Sequence, residues 1–286
     1  MAGGNPVFDR LNKQIEKDRY AGFGSPQRGT QAATGGAAAY DAMSAQKLDE
    51  MYARPSAGSV DTGRVTVDDV IMKSLTLFVV VIAAAAGAWF AVANNPALAS
   101  PLWMGGIIVG LILGFAIAFM KNPPVPLFFV YAAVQGGFLG AFSFVINSIP
   151  KYEGVIVMAV LATLSTFVAM YVGYATGIIK VTSRSRRIFF LMAAGYAIFA
   201  LVQFALISFG VLDGWGVGGS SGLGIGLSLL GTGLAAYSLA IDFDSIDSAV
   251  RMEAPQKYSW LLAHGLIVSV IWLYIEFVRL FARLRD

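Results

Sequence analysis

Residues 237–247 read YSLAIDFDSID. They close a long apolar run and hold three acids, Asp242, Asp244 and Asp247. Of the 17 acidic residues, nine lie in the first 69 positions. Glu153, Asp213, Glu253 and Asp286 fall in connections or at the end. Apart from this cluster, only Glu276 stands inside an apolar stretch, in WLYIEFVRLF (272–281). An ionisable group within a membrane span costs at least a few kcal/mol, so it marks a functional site by default. Acids kept in the last two apolar runs are expected to work together.

The surrounding chain is that of an integral membrane protein. Of its 286 residues 57% are hydrophobic and 13% charged, with a mean hydropathy of +0.70. Soluble domains carry about 25% charged residues. The net charge is +3 and there is no cysteine, which excludes disulfides, thiolate metal sites and cysteine nucleophiles. The basic residues form no concentrated face of the kind that nucleic acid requires. No signal peptide precedes the first apolar run, which starts near Val70.

Seven apolar runs have lengths near the ~20 residues that cross a bilayer: Val70–Ala93, Leu102–Met120, Val125–Ile146, Gly154–Ile179, Ile188–Phe209, Leu223–Phe243 and Trp260–Leu280. The fold class is therefore all-α, with seven transmembrane helices in one domain at 69–286. Residues 1–68 form a polar arm. An amphipathic helix is expected at Asn5–Tyr20, and flexibility from Ala21 to Gly63. The arm reads either as an interaction segment or as a solvated tail.

Lys and Arg set the orientation. The arm holds eight, and alternate turns hold Lys121, then Lys180, Arg184, Arg186 and Arg187, then Arg251 and Lys257. The other turns hold only Lys151. The N-terminus is thus expected in the cytosol, in a cell (inner or plasma) membrane. Arg279, Arg283 and Arg285 break this pattern. Either a basic end is tolerated outside, or the last helix does not cross in the ordinary way.

Several motifs have competing readings. The glycine spacings Gly106-Gly110-Gly114, Gly136-Gly140 and Gly222-Gly226 suit close helix packing within the bundle, with a dimer interface as the alternative. GWGVGG (214–219) fits G-x-G-x-x-G but lies between spans, so it reads as a flexible loop and not a dinucleotide site. His264, the single histidine, reads as a packing residue or a proton sensor. Asp242 is expected to turn inward, with Asp244 and Asp247 at the cytosolic mouth. The alternative is that all three are interfacial helix-end residues. Glu276, among Trp272, Leu273, Tyr274, Ile275, Phe277 and Val278, needs a partner or an aqueous cavity. No nucleophile–base pair points to an enzyme.

At three stretches the chain resembles the Bax inhibitor-1/YccA family: Asp242-Phe243-Asp244-Ser245-Ile246, Leu273-Tyr274-Ile275-Glu276-Phe277, and the Gly136–Gly140 stretch AVQGGFLG (133–140). The resemblance implies six helices surrounding a central seventh. It also implies a pH-sensitive calcium leak in which Asp242 and Glu276 form a hydrogen-bonded pair that senses protons and closes the pore. Lys121 falls at the position of a basic latch on the sixth-helix acid, and Asp244, Asp247 and His264 are secondary candidates. Glu276 stands where aspartate is usual and Lys121 where arginine is usual. The stretch between the two acids is longer than in compact members. Asp242 and Glu276 together would make a weak Ca²⁺ permeation site, with no tightly bound cofactor. The partner is the lipid bilayer. Two alternatives remain: a regulator that binds other membrane proteins such as a membrane protease, and a proton-coupled transporter.

Overall fold

The computed structural model describes residues 63–212 and 214–286. The helix expected at 5–20 and the flexible stretch up to 62 lie outside the described residues. The rest is helical: α1 Val67–Asn94, α2 Ala99–Phe119, α3 Val125–Asn147, α4 Val155–Ala175, α5 Ser183–Ser208, α6 Gly222–Arg251 and α7 Ser259–Arg285. All seven are long and apolar enough to cross a membrane.

Local chemistry sets the ends. Thr66 caps α1 by accepting from the Asp69 amide at 3.0 Å, and Asp68 and Asp69 suit the positive end of the helix dipole. Thr182 and Ser185 form a reciprocal capping box at the start of α5. The expected basic turn is therefore half helix, with Arg184, Arg186 and Arg187 inside α5. The sixth helix outruns its apolar stretch by eight residues, from Phe243 to Arg251. Hydropathy falls at Asp244, but the backbone does not leave the helix, so all three acids are helical.

The two ends of the bundle are tied differently. At one, the Val65 amide donates to Ala254 O at 2.8 Å and the Gln256 amide to Gly63 O at 2.7 Å, while Arg64 pairs with Glu253 at 2.8 Å. At the other, Lys151 pairs with Asp286 at 2.6 Å, and Tyr152 donates to Asp286 at 2.9 Å while accepting from Trp215 at 3.0 Å. Thus α7 runs from the Gly63 end to the Asp286 end and crosses in the ordinary way. Its arginines are not a loose basic tail. Arg279 meets Glu276, Arg283 meets the Trp215 and Gly224 carbonyls, and Arg285 meets the Glu153 carbonyl.

The glycines explain the closest packing. A Cβ on Gly136 would lie 2.4 Å from Val81 O, and one on Gly140 2.1 Å from Ala85 O, so α3 lies directly on the α1 backbone. Gly106 and Gly110 do the same for α2 against Phe138 and Gln135 of α3. These ladders pack the bundle internally. Gly222 and Gly226 have open space around them, which corrects their reading as a packing ladder.

The expected ring around α7 is uneven. α7 packs broadly on α1, α4 and α6, touches α5 through Tyr196, and has α3 along one edge. α2 packs on α3 and α5 on α6. Ile112, Leu161 and Leu191 on the outer helices are exposed, as lipid-facing side chains are.

Candidate functional site

The acids lie on one seam, where α6 and α7 run antiparallel. On α7 the buried residues Leu262, Leu266, Ser269, Leu273, Glu276, Leu280 and Arg283 recur at alternating spacings of four and three. On α6 the facing set is small: Gly224, Ser228, Gly231, Ala235, Ser238, Asp242, Ser245 and Ala249. Alternating spacings of this kind keep one stripe against a partner helix, and small residues let the backbones approach. The leucines fill alternate layers, and Ser269, Glu276 and Arg283 fall a heptad apart on the same stripe.

Each polar layer has its own set of partners. Asp242 is partly buried, and its Oδ2 accepts from the Ser269 hydroxyl. Gly265 lies beside the other oxygen, where a Cβ would be 3.4 Å away. Glu276 is 2% exposed. Both its carboxylate oxygens accept from the Tyr196 hydroxyl at 2.9 Å, and Oε1 also accepts from Trp272 Nε1 at 3.1 Å and Arg279 at 3.3 Å. Gly231 makes that room: a Cβ there would sit 2.7 Å from Glu276 Oε2 and 2.3 Å from the Tyr196 oxygen. Arg283, 3% exposed, reaches into the gap left by Gly224 and donates to its carbonyl and, at 2.7 Å, to that of Trp215.

Asp242 and Glu276 therefore do not form the expected pair. Glu276 lies seven residues beyond Ser269, about 10 Å further along α7, and faces Gly231 rather than Asp242. Separate partners hold each acid, and the joint two-carboxylate Ca²⁺ site is not assembled. Among the described residues no group of three or more His, Asp or Glu side chains converges as a metal site would. The latch contact is not made in this structure either. Lys121 is exposed in the α2–α3 turn, and no ion pair joins it to Asp242.

Arginine engages the sixth-helix acids one turn closer to the Gly63 end. Arg186 of α5 pairs with Asp244, and Arg251 pairs with Asp247 at 2.6 Å. Tyr174 of α4 donates to Asp247 at 3.1 Å and Asp244 at 3.4 Å. Asp242 thus turns into the seam, while Asp244 and Asp247 stitch α4, α5 and α6 together. His264 points to the α3 side, with its ring 4.4 Å from that of Tyr131 and 5.5 Å from that of Phe128. It is buried by aromatic packing on that side. At the far end, Lys151 beside Asp286 holds that carboxyl below the usual carboxylate range. Gly214, Gly216, Gly218 and Gly219 all have positive φ, so GWGVGG is a run of left-handed turns that only glycine adopts without strain. No strand precedes it among the described residues.

Sequence reasoning missed Ser269, Tyr196, Gly231 and Arg283. The signal for three of them is the spacing of four and three on α6 and α7, which is visible once both helices are laid side by side. Tyr196 carries no such signal, because only the docking of α5 brings it to Glu276.

A family model described as Bax inhibitor 1 like matches residues 5–286. No curated protein matches the chain.

Proposed function

Since the chain belongs to the Bax inhibitor 1 like family, we propose that it is a proton-responsive cation leak, permeant to Ca²⁺, whose gate is the α6–α7 seam. Its place is a cell (inner or plasma) membrane with the N-terminus in the cytosol, and it is not an enzyme. One observation carries the reading: Asp242 faces Ser269 within the seam of two membrane-crossing helices.

A hydroxyl serves either protonation state of that carboxyl. It donates to the carboxylate and accepts from the acid. Glu276 differs in having a cation beside it, Arg279, together with the Tyr196 and Trp272 donors. Asp242 is assigned the change of state, and Glu276 anchors the neighbouring layer. The protonated acid keeps the seam closed under the Leu266 and Leu273 layers. A charge at Asp242 favours parting of the helices and the entry of water, and it offers a hard oxygen ligand to a passing cation. With one carboxylate per layer, the ion is held weakly and moves on.

Calcium flux into proteoliposomes across a pH series tests this. The leak reading requires flux that changes with pH and is lost or made pH-insensitive by Asp242→Asn. Absence of flux at every pH would remove it.

A further inference from the structure

The start of α5 holds charges that the acidic seam does not use. From Gly154 to Leu212 the sequence has no acid, yet residues 180–187 contain Lys180, Arg184, Arg186 and Arg187. Arg186 is tied to Asp244 of α6. Lys180, Arg184 and Arg187 are exposed, and among the described residues no acid pairs with them. Three cations thus stand without a carboxylate partner at the Gly63 end of the bundle.

Helical spacing decides what they face. At about 100° per residue, Arg184, Arg187, Ile188, Leu191 and Ile198 share one face of α5. The buried residues Phe189, Tyr196 and Gln203 recur every seventh position on another face, about 120° round, which packs on the bundle. Ile188, Leu191 and Ile198 are exposed, so the first face meets lipid and the two arginines stand at its head. The capping box of Thr182 and Ser185 fixes where the helix begins. Depth follows from length. The 26 residues of α5 span about 39 Å, against about 30 Å of hydrocarbon. Shared between both ends, the surplus puts the first turn at headgroup level. Lys180 precedes that turn, and Arg187 reaches back toward it as long basic side chains do.

Phosphate is the anion at that level. A guanidinium offers a planar fork of donors that matches phosphate oxygens, and the positive end of the α5 dipole adds to the same field. Clusters of Lys and Arg beside a membrane helix attract anionic lipid. An acidic protein surface would supply the charge, but the apolar stripe directly below the arginines suits acyl chains. We propose that Lys180, Arg184 and Arg187 bind the headgroup of an anionic phospholipid whose chains lie along the outer stripe of α5.

Native mass spectrometry of the full chain, released from micelles holding equal phosphatidylglycerol and phosphatidylcholine, tests the assignment. Wild type should retain phosphatidylglycerol preferentially. Lys180→Gln with Arg184→Gln and Arg187→Gln should lower the retained ratio at least five-fold, and Arg187→Gln alone at least two-fold. All three side chains are exposed, and Arg186 keeps α5 tied to α6. Lys121→Gln removes one exposed charge at the same end, from the α2–α3 turn, and should leave the ratio unchanged. Equal retention of the two lipids by wild type overturns the site and leaves the cations to an acidic protein partner. An unchanged ratio in the α5 variants, or an equal fall in Lys121→Gln and Arg187→Gln, overturns it too. In a second arm, millimolar glycerol 3-phosphate is added to the lipid-bound protein. Retention of the lipid supports a lipid site, whereas its displacement assigns the cations to a soluble phosphate ester and overturns the lipid.

Discussion

Glycine at 231 and glutamate at 276 are one design seen from two helices. The carboxylate, the Tyr196 hydroxyl and the Trp272 indole fit together only because α6 contributes no Cβ at that layer. Gly231→Ala should therefore force the layer apart and cost about 1–3 kcal/mol, as overpacking does. Thermal unfolding in detergent checks this, with Gly226→Ala, which meets open space, as the neutral comparison. Equal midpoints for the two variants would show that the layer is loose. At this scale the sequence was a partial guide. It singled out Glu276 by its apolar neighbours and required a partner for it, and Tyr196, Trp272 and Arg279 fill that need. The pairing of Glu276 with Asp242 came from the family resemblance, which sets an acid at each of the two positions. Depth along the seam decides the matter, and depth depends on where the α6–α7 turn lies, which composition does not report.

At the level of elements, α6 and α7 are matched by size. Small residues on one face large and polar residues on the other, at spacings of four and three. The pattern was readable from 224–249 and 262–283, yet G-x-x-x-G spacing drew the eye to Gly222 and Gly226 instead. Hydropathy located all seven helices but cut α6 short at Phe243, since an acid in a helix lowers hydropathy without breaking hydrogen bonds. Arg283 fastens the loop before α6 by holding the Trp215 and Gly224 carbonyls. Arg283→Met should take the guanidinium from both carbonyls, leaving Trp215 O only the longer bond from Gln203 Nε2 at 3.4 Å, and cost about 1–3 kcal/mol. Limited proteolysis should then cut within 214–221, where wild type should resist. Unaltered resistance would mean that the Trp215–Tyr152 bond alone secures the loop.

The whole molecule is a bundle whose ends are chemically distinct. One is tied by residues 63–66 against 253–256, and the other by Asp286 against Lys151 and Tyr152. The sequence left open whether the last helix crosses, because a count of arginines cannot tell a free basic end from side chains folded onto carbonyls. The absence of cysteine makes single-cysteine labelling clean. In sealed vesicles, Arg64→Cys and Lys180→Cys should label from one side and Lys151→Cys and Ser220→Cys, in the exposed loop before α6, from the other. Labelling of Ser220→Cys together with Arg64→Cys would break the seven-span topology. The central claim is that Asp242 alone switches the seam while Glu276 anchors a separate layer. A double-mutant cycle on calcium flux, with Asp242→Asn, Glu276→Gln and both, from pH 5 to pH 8, tests it most directly. Sites more than about 7–10 Å apart without shared partners act additively to within about 0.5 kcal/mol. The account predicts that Asp242→Asn flattens the pH dependence. Glu276→Gln should shift the flux at every pH while keeping that dependence, and the double variant should show the sum of the two effects. Normal pH dependence in Asp242→Asn, or a double variant no different from either single one, would contradict it.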